Sequence, residues 1–144
     1  MPDLDELPAW PDASVAWLVT VAGEPHAIPV STALRTGRRG VLLALAHRRA
    51  SLRRLGADPR VALAVAAPGL AFTAHGAASV AADPLPGVEN VTAVAIAVGR
   101  IQDHGHPTFA IDDGVRWRWT DAQAEQADAR TRAALRALAA HGRA

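Results

Sequence analysis

Cysteine is absent from the 144 residues, so the chain carries no disulfide framework, no thiolate metal site and no cysteine nucleophile. That absence suits a reducing compartment, and the expected location is the cytoplasm. Lysine is absent too. All 15 basic residues are arginine, a bias that genome composition explains as well as selection for planar, bidentate anion contacts does. Bulk charge of either sign is missing: the formal net charge is +1, which gives no broad electrostatic footprint for nucleic acid despite a sequence pI near 9.0. Long apolar runs are missing as well, none approaching the roughly 20 residues that cross a bilayer, so no membrane partner is expected. The opening stretch "MPDLDELPAW" is acidic and interrupted by proline, unlike a secretory signal. No Walker or Rossmann glycine pattern and no nucleophile elbow occur, which sets aside kinase and hydrolase chemistry.

What is present is the composition of one globular domain over residues 1–144, with 50% hydrophobic and 20% charged residues, its glycines and prolines scattered as punctuation. A chain of this length buries about 68–70% of its unfolded surface, enough for a real core. "VAWLVTV" (15–21), the turn "AGEP" and "HAIPVSTAL" (26–34) read as a hairpin, and Pro29, which donates no backbone hydrogen bond, belongs at an edge or beside a ligand. After "VLLALA" (41–46) a short helical segment follows, with Leu52 and Leu55 as its apolar stripe, Ser51 as its cap and Gly56 as its end. "RVALAVAA" (60–67), "AFTAHGAASVAA" (71–82) and "VTAVAIAVGRI" (91–101) are further strands, and Gly76 marks a close backbone approach. A last hairpin is expected from "TFAI" (108–111) and "VRWRW" (115–119). Thr120 and Gln123 form a capping box for a helix over about 121–141, striped by Ala127, Thr131, Leu135 and Leu138. The reading is mostly β: about seven strands in a small antiparallel barrel with a short inserted helix and a C-terminal helix. An open β-sandwich is the alternative.

Arg48 and Arg49 stand just ahead of the inserted helix, where cations cost about 0.3–1 kcal/mol each against the helix dipole. A bound anion would reverse that sign.

Three segments in order, "LVTVAGEPHAIPV" (18–30), "LGADPRVAL" (55–63) and "HGAASV" (75–80), resemble the flavin-binding split-barrel family, the pyridoxamine 5'-phosphate oxidase-like proteins and their deazaflavin-using relatives. The resemblance implies a split barrel that works as a homodimer, with flavin mononucleotide (FMN) in each groove between the subunits. It places Arg48, Arg49, Ser51 and Arg53, with His47 beside them, at the phosphate, and the strand through Pro29, Val30, Ser31 and Thr32 along the ring. Trp117 is expected to offer a wall to the groove of the partner subunit. The Arg-x-His motif of true pyridoxamine phosphate oxidases is missing, and Ser51 stands where many relatives carry lysine, so vitamin B6 oxidation is not expected. The expected activity is a flavin-dependent oxidation or reduction of a small molecule. The cofactor supplies the chemistry, and no catalytic side chain is named.

Two rivals use the same groove. One takes an 8-hydroxy-5-deazaflavin coenzyme with Arg35, Arg38 and Arg39 at its anionic tail. The other is a non-catalytic dimer that binds flavin or haem. His104-Gly105-His106 has no further ligand at metal spacing, so no metal is expected. His26 and His75 read as structural.

Overall fold

The computed structural model describes residues 3–142. Seven strands run β1 (Ala16–Thr20), β2 (His26–Val30), β3 (Leu34–Gly37), β4 (Gly40–Ala46), β5 (Arg60–Ala67), β6 (Leu70–Ala82) and β7 (Val91–Asp103). Helix α1 (Ala50–Ala57) is inserted between β4 and β5, and α2 (Ala122–His141) closes the chain. All pairings are antiparallel in one sheet of order β2-β1-β5-β6-β7-β4-β3. A single continuous sheet rules out the sandwich, and the fold is a mostly β split barrel. Its two edges approach each other where the Thr32 hydroxyl accepts from the Ala44 N–H at 3.1 Å and lies 3.4 Å from the Ala44 carbonyl.

Alternation explains the inside. Leu18, Leu63, Ala74 and Ile101 face one another in register across β1, β5, β6 and β7 and are fully buried. "VLLALA" reads as unbroken apolar because β4 is covered on both sides. Val41, Leu43 and Leu45 enter the barrel, while Leu42 packs outward with Leu85, Ala93 and Leu135 of α2. Burying a leucine contributes about 1.5–3 kcal/mol, so this second small core is what docks α2 on β4. Gly76 allows the tightest contact in the sheet, since a Cβ there would lie 2.2 Å from the Ala97 carbonyl oxygen.

The structure corrects four local expectations. Strand β2 ends at Val30, and the chain bends through Ser31–Ala33 before restarting as β3, which the sequence pattern had merged into one strand and a turn. The expected 108–119 hairpin does not form, and residues 104–119 carry no strand. The Ile111 carbonyl is taken by the Gly69 N–H, and the Trp117 indole donates to the Ala13 carbonyl at 2.9 Å, so the segment crosses the molecule instead of doubling back. Ser51 does not cap α1. Arg49 is the N-cap residue, without a side-chain cap, and Ser51 is 1% exposed inside the helix, which runs past Gly56 to Ala57. Asp121 rather than Thr120 caps α2, its carboxylate accepting from the Gln123 and Ala124 N–H groups.

Asp58 ends α1 and turns the chain into β5, accepting from the Arg60 guanidinium at 2.6 Å and from the Arg60 N–H at 3.1 Å. The guanidinium beside it, with that N–H, brings the Asp58 carboxyl from 3.8 down to about 2. Its folded value lies below its unfolded one, so the stabilisation is present above about pH 4 and fades as pH falls through about 2. Both groups lie at the surface, so the effect on stability is small. An NMR titration is expected to show the Asp58 midpoint near 2, and Arg60→Ala should return it toward 3.8. An unmoved midpoint would detach Arg60 from the effect.

Candidate functional site

The end of β2, its bend and the end of β4 diverge just where the sheet is split, and α2 lies across the gap. Between them is an open groove of about 410 Å³. Pro29, Val30, Ser31 and Thr32 form one wall, and Ala44, Leu45 and Ala46 form the floor. The α2 residues Ala127, Asp128 and Thr131, with Trp119 just ahead of the helix, make the opposite wall, and Arg48 and Arg49 stand at one end. The volume falls within the usual range for small-molecule sites, about 300–1,000 Å³. Pro29 sits on the edge strand opposite Trp17, so its missing N–H leaves no broken ladder bond.

The charges in the groove are unequal in their commitments. Asp128 is spoken for: Arg132 Nε donates to it at 2.7 Å, and the same guanidinium lies 3.4 Å from the Ser31 hydroxyl. The guanidiniums of Arg48 and Arg49 have no ion-pair or hydrogen-bond partner among the described residues. The groove therefore presents a mostly apolar trough with two uncommitted cations at one end. That combination is built for a flat ring system ending in an anion.

No family model matches the sequence, and no curated protein matches it. Solved structures do match. A candidate pyridoxamine 5'-phosphate oxidase from Lactobacillus delbrueckii superposes with a TM-score of 0.57 at 16% identity, over 70% of this chain and 98% of the other. An F420 reductase gives 0.54 at 16% identity, over 62% and 90% of the two chains. The fold is that of the pyridoxamine 5'-phosphate oxidase-like split barrels. A haem binding protein from Mycobacterium smegmatis shares it, with a TM-score of 0.56 at 21% identity, over 68% of this chain and 51% of the other. Similarity at these identities is similarity of fold, so the function of this split barrel has to be argued from its groove.

Of the residues the sequence singled out, Pro29, Val30, Ser31, Thr32, Arg48 and Arg49 line one groove of the split barrel. Four others lie elsewhere. His47 shares a 2.7 Å hydrogen bond with Asp83, which also accepts from the Thr92 hydroxyl at 3.1 Å. The backbone N–H of His47 is taken by the Asn90 carbonyl, so this residue ties the start of α1 to the 83–90 loop. Ser51 is buried beneath α1, and Arg53 is exposed on it, outside the groove lining. Trp117 lines a neighbouring cavity; Trp119 is the tryptophan that reaches the groove. Alternation along "VRWRW" had put both tryptophans on one face, but nothing local said which would reach the helix. The α2 residues Ala127 and Thr131 were read only as a packing stripe. Arg132 and Asp128, four residues apart on a helix, were the available hint of a fixed ion pair there.

Arg35, Arg38 and Arg39 are engaged away from the groove. Arg35 donates to the Leu7 carbonyl at 2.9 Å and, with Arg38, pairs with Glu6, while Arg39 donates to the Gly99 carbonyl at 2.6 Å. His104 is hydrogen-bonded to Thr73 and His106 to Thr108, and no cluster suited to a metal ion occurs among the described residues. No helix among the described residues is long and apolar enough to cross a membrane.

Proposed function

We propose that the chain binds FMN in this groove and, as a single-domain homodimer in the cytoplasm, carries out two-electron transfer with a small molecule. The observation that carries the reading is the pair of uncommitted guanidiniums, Arg48 and Arg49, at one end of an apolar trough. Two cations placed against a helix start are unfavourable alone and favourable around a phosphate. The likeness to a candidate pyridoxamine 5'-phosphate oxidase and to an F420 reductase supports a redox cofactor of the flavin class.

The chain's own residues bind and orient. Arg48 and Arg49 would hold the phosphate, and the backbone of Val30 and Ser31 would meet the polar edge of the ring. Pro29 and Trp119 would cover its apolar faces, and α2 keeps water from one side. When bound, the flavin supplies the two-electron chemistry itself. A second copy has a surface to occupy. Trp17 is 46% exposed and shares the outer face of β1, β2 and β5 with Ala27, Pro29, Ala62 and Ala64, so a mate seated there would reach the groove at Pro29.

The deazaflavin reading loses the three arginines it relied on, because Arg35, Arg38 and Arg39 are already bonded within the chain. The test is the absorption spectrum of the protein as purified, with mass spectrometry of the ligand released on denaturation. A flavin spectrum and the mass of FMN are expected, with titration of apoprotein saturating near one FMN per chain. Recovery of a deazaflavin or haem, with no FMN uptake by apoprotein, would overturn the proposal.

A further inference from the structure

Beside the groove lies a second cavity of about 660 Å³, formed where residues 115–119 pass over the first half of α2. It shares Trp119 and Asp128 with the groove, so an occupant would sit next to whatever the groove holds. Its wall is aromatic. The Trp117 and Trp119 rings meet edge to face at 5.3 Å and 84°, yet they remain 37% and 39% exposed. This is the packing that ring quadrupoles favour, and the hydrogen bond from the Trp117 indole to the Ala13 carbonyl anchors it. Two indoles packed on each other and left partly exposed offer a third ring a place to pack.

The charges around the indoles sort into pairs and two remainders. Arg116 is paired with Asp113 at 2.9 Å, and Arg132 with Asp128 at 2.7 Å. Arg118 and Glu125, both exposed, have no side-chain partner among the described residues and do not reach each other. Glu125 stands in the first turn of α2. One free cation and one free anion thus flank one aromatic wall.

We propose that this second cavity binds an aromatic zwitterion of the amino-acid type: its ring packs on Trp117 and Trp119, its carboxylate meets Arg118 and its ammonium group meets Glu125. Guanidinium suits carboxylate through parallel hydrogen bonds, and the indole faces suit a flat ring. Trp119 is shared with the groove, whereas Trp117, Arg118 and Glu125 line the second cavity only, so the assignment does not depend on which cofactor the groove holds.

Isothermal titration calorimetry of the full chain with L-tryptophan, indole-3-propionate and tryptamine tests it, because the three share a ring and differ in charge. Tryptophan is expected to bind at least about tenfold more tightly than either singly charged analogue, as losing one charge-assisted contact implies. Arg118→Gln should reduce tryptophan to the level of tryptamine and leave tryptamine unchanged. Glu125→Gln should reduce it to the level of indole-3-propionate and leave that ligand unchanged. Equal affinity for all three ligands, or no heat from any at millimolar concentration, would overturn the assignment on the wild-type chain alone. FMN titration of the Arg118→Gln chain is a separate readout: it is expected to be unchanged, so failure here and failure in the groove are told apart.

Discussion

Replacing Arg48 and Arg49 together by alanine is expected to weaken FMN binding by about 10²–10⁴-fold. Each guanidinium that meets a phosphate contributes about 1.5–3 kcal/mol as a charge-assisted hydrogen bond, so the pair contributes about 3–6 kcal/mol, at 1.4 kcal/mol per decade of affinity. The fold should not suffer. Neither side chain has a partner among the described residues, and Arg49 occupies the N-cap of α1 without capping it. Removing two cations from a helix start relieves about 0.3–1 kcal/mol each, so the apoprotein should melt at the same temperature or slightly higher while the holoprotein loses its ligand-dependent gain. Fluorescence titration and paired melting curves check both signs. Wild-type affinity in the double variant would remove these arginines from the site. A lower melting temperature in the apoprotein would show that they hold structure.

The same pair shows why part of the groove could be read without coordinates. Charge at a helix start, a proline inside a strand and an Asp-Pro corner are local features whose consequences stay local: α1 begins at Ala50, β2 is an edge strand, and β5 starts at Arg60. The strands that alternate over long stretches, β5, β6 and β7, were legible for the same reason. What failed was decided at a distance. The 115–119 segment has good strand chemistry, but Ala13, about a hundred positions away in sequence, accepts the Trp117 indole hydrogen bond, and no local pattern encodes that contact. His47 sits beside the arginines in sequence yet belongs to Asp83 and Asn90 in space. Trp119 and the α2 wall became part of the groove only because Leu135 docks on Leu42 and Ala93, a long-range packing choice made by the second core.

Phe72→Ala is expected to cost about 3–5 kcal/mol, the usual range for removing a buried ring from a packed core. The ring is 1% exposed near the start of β6, the middle strand of β5–β6–β7, in register with Val65 and Asp103, and lies 5.7 Å from the Trp10 ring. The void would not close easily, because Trp10 is held in place by a 2.9 Å hydrogen bond from its indole N–H to the Ala33 carbonyl. Against a typical total of about 5–15 kcal/mol, the loss is a large fraction of what holds a domain folded. Urea denaturation should show a much lower midpoint with an unchanged slope, and Phe72→Leu should cost less than half as much. A loss below about 1 kcal/mol would mean that the core does not close around this ring. The consequence reaches the groove. Ala33 is the last residue of the bend that carries Ser31 and Thr32, so the wall beside β4 is steadied from the barrel interior through Phe72, Trp10 and Ala33 in turn. A variant with a loosened core should therefore also bind FMN more weakly, although no atom of Phe72 lines the groove.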